Sequence, residues 1–185
     1  LFPGIVIPST VNRDKSIQAI TEAYEGDRII GVVSQKDPKV EQPNGSDLYR
    51  VGTIARIIKL IRVPDGTTTA ILQGRKRFQV QQVVTEEPFF KGRATVLPYT
   101  DPTNKLEFEA LIASIIDKAK QIIELSPNIP SEAIVMLRNI SSHSFLLNFI
   151  ASNLCSKVSQ KQNILELTNL TEQAKLIYQK MDSEL

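Results

Sequence analysis

Apolar positions change period near residue 98. From residue 29 to 97 they alternate with polar positions or form short β-branched runs, broken at Pro43-Asn44-Gly45 and Pro64-Asp65-Gly66, a pattern of strands joined by hairpins. In Val63-Pro64-Asp65-Gly66 the proline presets φ, the aspartate can hold its local backbone, and the glycine accepts a positive φ. Residues 53–61 are therefore predicted to pair antiparallel with residues 68–73. Between Val51 and Val63 both side-chain rows are apolar, with Ala55, Ile57 and Ile61 in one and Ile54, Ile58 and Leu60 in the other. Such a strand is expected to be covered on both faces, like a barrel wall overlaid by other elements. Ahead of it, Ile17, Ile20 and Tyr24 recur at helical spacing and predict one short helix over residues 15–24, with Asp14 as N-cap and Gly26 as stop. Residues 35–47, rich in Pro, Asp, Asn and Gly, read as an exposed loop.

Beyond Pro98 the period becomes helical. Asp101-Pro102 reads as a helix start, followed by a stripe running from Phe108 through Ile112, Ile115 and Ala119 to Ile123. Ser131 is expected to cap a helix carrying Ile134, Leu137 and Ile140, and residues 145–154 supply another. Ser159 with Gln162 and Asn169 with Glu172 have capping-box spacing and predict two more. The last of these reaches residue 185 without a glycine stop and is expected to continue in a longer chain. The architecture predicted is α+β, with a strand-rich lobe over residues 1–100, a helical bundle over 101–185, and a hinge at 99–103.

Composition narrows the class. There are 185 residues with a net charge of +2 and 42% hydrophobic content, enough for a real core and without an apolar run of about 18 residues that would cross a bilayer. Residues 1–100 carry 14 Lys and Arg against 10 Asp and Glu, whereas residues 101–185 carry 8 against 10. That asymmetry is mild for a nucleic-acid module. The single cysteine, Cys155, follows Phe149, Ile150 and Leu154 and reads as a buried thiol in a reducing cytosol.

Catalytic chemistry is not written in the chain. No glycine-rich loop ends in Lys-Ser or Lys-Thr, so phosphates of ATP have no cradle of that type. His143, the only histidine, has neither a nucleophile nor an orienting carboxylate near it in sequence and reads as a helix-entry residue. No Cys-His cluster suggests zinc. Arg75, Lys76 and Arg77 form the densest basic cluster and, with Arg56, Arg62 and Arg93, read either as a solvated turn or as a phosphate-binding stripe. Phe89 falls by alternation among Lys91, Arg93 and Thr95, so it is either covered by another element or presented to a partner. Phe2, Ile5 and Ile7, read as one row of a strand bounded by Pro3 and Pro8, pose the same question.

The order and spacing of Leu48-Tyr49-Arg50-Val51-Gly52-Thr53, Pro64-Asp65-Gly66-Thr67 and Leu72-Gln73-Gly74-Arg75-Lys76-Arg77-Phe78 resemble the amino-terminal domain of the ATP-dependent protease Lon. Phe2-Pro3-Gly4-Ile5-Val6-Ile7-Pro8 and Val33-Ser34-Gln35-Lys36-Asp37-Pro38 fit the same pattern, and the resemblance covers nearly the whole chain. The chain departs from it at three places: Ser142-His143-Ser144 replaces an Asp-Pro turn, Asn148 stands for a usual Asp, and Gln173 where an Arg is common. The resemblance implies a PUA-like β-barrel lobe followed by helices, and a cytoplasmic, non-catalytic domain. Its role would be to recognise unfolded or damaged polypeptides and to support assembly of a hexamer. ATP, Mg and the Ser-Lys protease dyad would then belong to other parts of a longer protein, with no cofactor, metal or membrane contact here. Phe2, Ile5 and Phe89 are the candidate substrate-contacting residues. The competing reading is a stand-alone PUA-like module that binds RNA or a small ligand, with a steep salt dependence.

Overall fold

The computed structural model describes residues 1–154 and 157–184, so Cys155 lies outside the described residues. The chain forms two compact units, Leu1–Pro98 and Tyr99–Leu185. In the first, β1 (Val6–Val11), α1 (Asp14–Glu25), β2 (Ile29–Val32), β3 (Val51–Arg62), β4 (Thr68–Thr85) and β5 (Lys91–Val96) follow one another. All strand pairs are antiparallel, in the order β1-β4-β3-β2, with β5 also on β4. Because Phe78 faces Gly52 on one side and Val96 on the other, β5 shares with β1 the edge of β4 opposite β3. The ends of the path, β1 and β2, are not paired with each other among the described residues, so hydrogen bonds do not close this sheet into a barrel.

The predicted hairpin forms and runs further than its sequence signal. β3 pairs with β4 from Arg62↔Thr68 to Val51↔Gln79. Gly66, at φ 90°, closes the turn, and the Val63 amide donates to the Thr67 carbonyl at 2.9 Å. Asp65 accepts the Thr67 amide at 2.8 Å, a bond that holds its carboxyl below the ordinary carboxylate range. A carboxylate whose folded pKa is lowered adds stability above its unfolded pKa and loses it as pH falls through the folded one. Asp65→Ala should therefore erase a small stability increment at neutral pH and match the parent once pH falls below the lowered folded-state pKa of Asp65, as read by urea denaturation.

One face of the sheet is closed by α1. Ile20 packs with Val11, Ala55, Ile57, Ala70 and Leu72, and Ile17 and Leu60 join the rim of that cluster. Gly26 does stop α1, but the left-handed residue in the turn is Arg28, at φ 64°. The helix begins at Asp14 with Arg13 as the capping position, one residue ahead of the expected cap. Within residues 35–47 a single 3-10 turn, Gly45–Asp47, is capped by Asn44.

The second unit is helical: α2 (Lys105–Leu125), α3 (Glu132–Arg138), α4 (His143–Leu154), α5 (Val158–Glu166) and α6 (Leu170–Asp182). Asn104, rather than Asp101, caps α2 by accepting the Glu107 amide at 3.1 Å. Ser131 stands at the start of α3 without a capping bond, and Ser159 falls inside α5, whose capping position is Lys157. Asn169 caps α6 as its spacing predicts, accepting the Thr171 and Glu172 amides at 2.9 and 3.1 Å. Helix α6 packs on α2, α4 and α5 through fully buried Ala174 and Ile177. No described helix is long and apolar enough to cross a membrane.

Candidate functional site

The sheet face turned away from α1 is where β3 departs from expectation. Its inner row, Ala55 and Ile57, is fully buried, whereas Ile58 and Ile61 are 46% and 40% exposed. Two bulges set this pattern. Between Ile57↔Leu72 and Lys59↔Ile71 the strand carries one extra residue, Ile58. The slip sends Leu60 inward to the core and Ile61 outward, the reverse of uninterrupted alternation. Between Thr53↔Arg77 and Ala55↔Gly74 the extra residue is on β4, so Ile54 faces both Arg75 and Lys76.

Directly opposite residues of antiparallel strands point to the same face. The row Ile29↔Arg56↔Gln73↔Val6 therefore crosses the outer face from β2 to β1. Val6 is 51% exposed and Ile29 41%. Beside this row Asp27, Ile29, Ile54, Arg56, Arg75 and Lys76 line a shallow depression of about 650 Å³. Asp27 is engaged locally, accepting the Ile29 amide at 3.0 Å. Among the described residues Arg56, Lys59, Arg75 and Lys76 take part in no ion pair. The result is an aliphatic floor with cations around it that find no ion-pair partner among the described residues.

The sequence candidates fall elsewhere. Phe2 is 3% exposed and Phe89 8%, and Ile5 is half-buried. Gly4, at φ 81°, turns the chain between Phe2 and Ile5, so Phe2, Ile5 and Ile7 do not form one strand row. The segment is tied down by the Thr53 hydroxyl, which donates to the Leu1 carbonyl at 2.6 Å, and by Gly4 and Gly74, which bond across at 2.9 Å. Phe89 precedes β5, whose residues are all exposed, so strand alternation does not govern its fate. Its ring carries the Lys91 ammonium 5.0 Å from its centroid. As folded, Phe2 and Phe89 are packing residues and present no apolar patch.

The basic cluster is a bulged strand, not a turn. Arg75 and Lys76 are exposed, but Arg77 is 1% exposed and donates to the Pro98 carbonyl at 3.3 Å. Arg62 bonds the Thr21 hydroxyl at 3.1 Å and Arg93 lies on β5, so no single stripe unites the six cations. His143 opens α4, with its ring edge-on to Phe108 at 5.4 Å. What sequence reasoning missed is the outer face itself. Its signal, two apolar rows on β3, is present in the sequence, but alternation alone predicts burial on both sides.

A family model for the ATP-dependent protease La (LON) substrate-binding domain matches residues 1–183. The chain belongs to the Lon substrate-binding domain family. The Lon protease of Flavobacterium johnsoniae is 45% identical over 186 aligned positions, covering all of this chain and 23% of that protein. That of Cytophaga hutchinsonii is 40% identical over the same span, again with 23% of its length covered. The chain thus spans about a quarter of the length of these Lon proteases. Among solved structures, the amino-terminal domain of Mycobacterium avium complex Lon protease superposes with a TM-score of 0.80 at 21% identity. It covers all of this chain and 94% of that one. The Lon amino-terminal domain protein of Xanthomonas campestris follows with a TM-score of 0.64 at 17% identity, covering 95% and 89%. These two likenesses establish the mixed α+β fold of a Lon amino-terminal domain.

Proposed function

We propose that this Lon substrate-binding domain captures unfolded or damaged polypeptides in the cytoplasm and supplies them to ATP-driven and proteolytic parts of a hexameric Lon protease. The reading rests on one observation above others: an exposed aliphatic face of Val6, Ile29, Ile58 and half-buried Ile54, carried on a rigid sheet. A receptor for unfolded chains must recognise apolar side chains that native proteins hide, without reading one sequence. A shallow aliphatic surface does this, because burial is non-directional. A single copy should bind weakly, and several copies presented around one assembly would gain by avidity.

The test is fluorescence anisotropy of the chain against one labelled protein in native and unfolded forms, at low and high salt. Selective binding of the unfolded form that largely survives high salt is the expected result. Covering the remaining surface of one isoleucine is worth about 1 kcal/mol, or roughly fivefold in affinity. The pair Ile29→Ser and Ile58→Ser should therefore weaken binding by about 25-fold with the fold intact. Equal binding of native and unfolded forms, or no effect of this pair, would remove the outer face as the capture surface.

A further inference from the structure

We infer that the outer sheet face is selective in charge as well as in polarity, and that its preferred occupant is an extended polypeptide segment that carries acidic and aliphatic residues together in one side-chain row. This inference rests on the capture function proposed above and assigns its substrate class. Arg56 lies between Ile29 and Gln73 in one cross-strand row, and the β4 bulge brings Arg75 and Lys76 together opposite Ile54. In uninterrupted alternation Arg75 and Lys76 would point to opposite faces; with the bulge both line the same depression. Across the row from Arg56, Ile29 supplies the apolar contact, so cation and aliphatic surface stand one strand spacing apart, about 4.8 Å.

Charge is unbalanced here. The lining holds three cations and one carboxylate, Asp27, which already accepts a backbone amide. Lys59, paired with Ile71 on the same face, adds a fourth cation. An incoming extended segment with Glu or Asp two residues from Leu or Ile would satisfy these cations while covering Ile29, Ile54 and Ile58. A segment bearing Lys or Arg would meet like charge over the same aliphatic surface. Nucleic acid fits less well, because the face offers no exposed aromatic ring for base stacking. Phe78, the aromatic on its β4 strand, is 7% exposed and lies across Gly31.

The experiment uses three labelled, unstructured peptides of Leu and Ser that differ only in carrying Glu, Gln or Lys at the same positions, each two residues from a Leu so that both share one side-chain row. A labelled oligo-uridylate and the unfolded protein described above complete the set. With the parent chain, affinity should fall in the order Glu, Gln, Lys. The charge-reversed variant Arg56→Glu/Arg75→Glu/Lys76→Glu should invert that order, with the Glu peptide weakened about tenfold. Inversion cannot come from loss of packing, since the Lys peptide would gain. Retained binding of the unfolded protein with the three peptides equal, or with none bound, overturns the charge selectivity and leaves capture standing. Failure of the unfolded protein to bind at all overturns both. Tighter binding of oligo-uridylate than of the Glu peptide, abolished in the variant, would reassign the face to nucleic acid.

Discussion

Asn148→Asp is expected to destabilise the helical unit by about 3 kcal/mol at neutral pH. Asn148 on α4 is 1% exposed, and its side-chain oxygen accepts from the Gln173 amide at 3.2 Å and the Tyr99 hydroxyl at 3.3 Å. Gln173 on α6 is fully buried. An aspartate there would be a carboxylate in a dry site facing only neutral donors, so burial would raise its pKa. The folded value would then lie above the unfolded one, and the deficit should vanish as pH falls below the unfolded carboxylate range and grow as pH rises. Gln173→Arg alone should be comparably harmful. The double variant restores an opposite charge at hydrogen-bonding distance and should recover at least half of the summed loss, as measured by urea denaturation in a double-mutant cycle. Simple additivity would show that the two sites are not coupled. Both are positions at which the sequence departs from the Lon resemblance, in which Asp and Arg stand there. They prove to be partners in one buried contact, and a pair of neutral amides avoids the desolvation of two ions.

Gly74→Ala should cost about 3 kcal/mol by a different route. A Cβ at Gly74 would stand 2.3 Å from the Phe2 carbonyl oxygen and 3.3 Å from Pro3 Cα. Both are backbone atoms, so no rotamer change relieves the overlap. Gly74 sits where β4 passes from β1 to β5, and its amide and carbonyl bond the backbones of Ile5 and Gly4 at 2.9 Å. The strain should appear as detachment of the first five residues. Hydrogen exchange at Gly4 and Gly74 should accelerate well before that of the β3–β4 hairpin. Protection that falls uniformly across the sheet would place the strain elsewhere.

Legibility in the sequence followed the range of the interaction. The Pro64-Asp65-Gly66 turn, the Asn169 cap and the switch from strand to helix period are local, and the structure carries each of them. Asp101-Pro102 reads as the start of α2, but the cap is Asn104, whose side-chain oxygen takes the Glu107 amide. Bulges are not local in this sense. Whether Ile58 is an extra residue depends on what β4 offers opposite it, and a single-strand alternation count cannot contain that. The same limit displaced the candidate site. Phe2 and Phe89 lie outside the regular strands, where alternation has no authority. Ile58, within a strand, was assigned a cover that the fold does not provide.

The shared edge of β4 also sets an order of events during synthesis. Val6 pairs with Gln73 and Val11 with Thr68, so β1 has no partner until the second half of the hairpin has been made. β3 and β4, by contrast, meet across one short turn. A chain emerging from the ribosome is therefore expected to close the β3–β4 hairpin before it recruits β1. Until then Phe2 and Ile7 stay in water. The domain thus passes, early in its own life, through an unfolded state of the kind we propose that it captures.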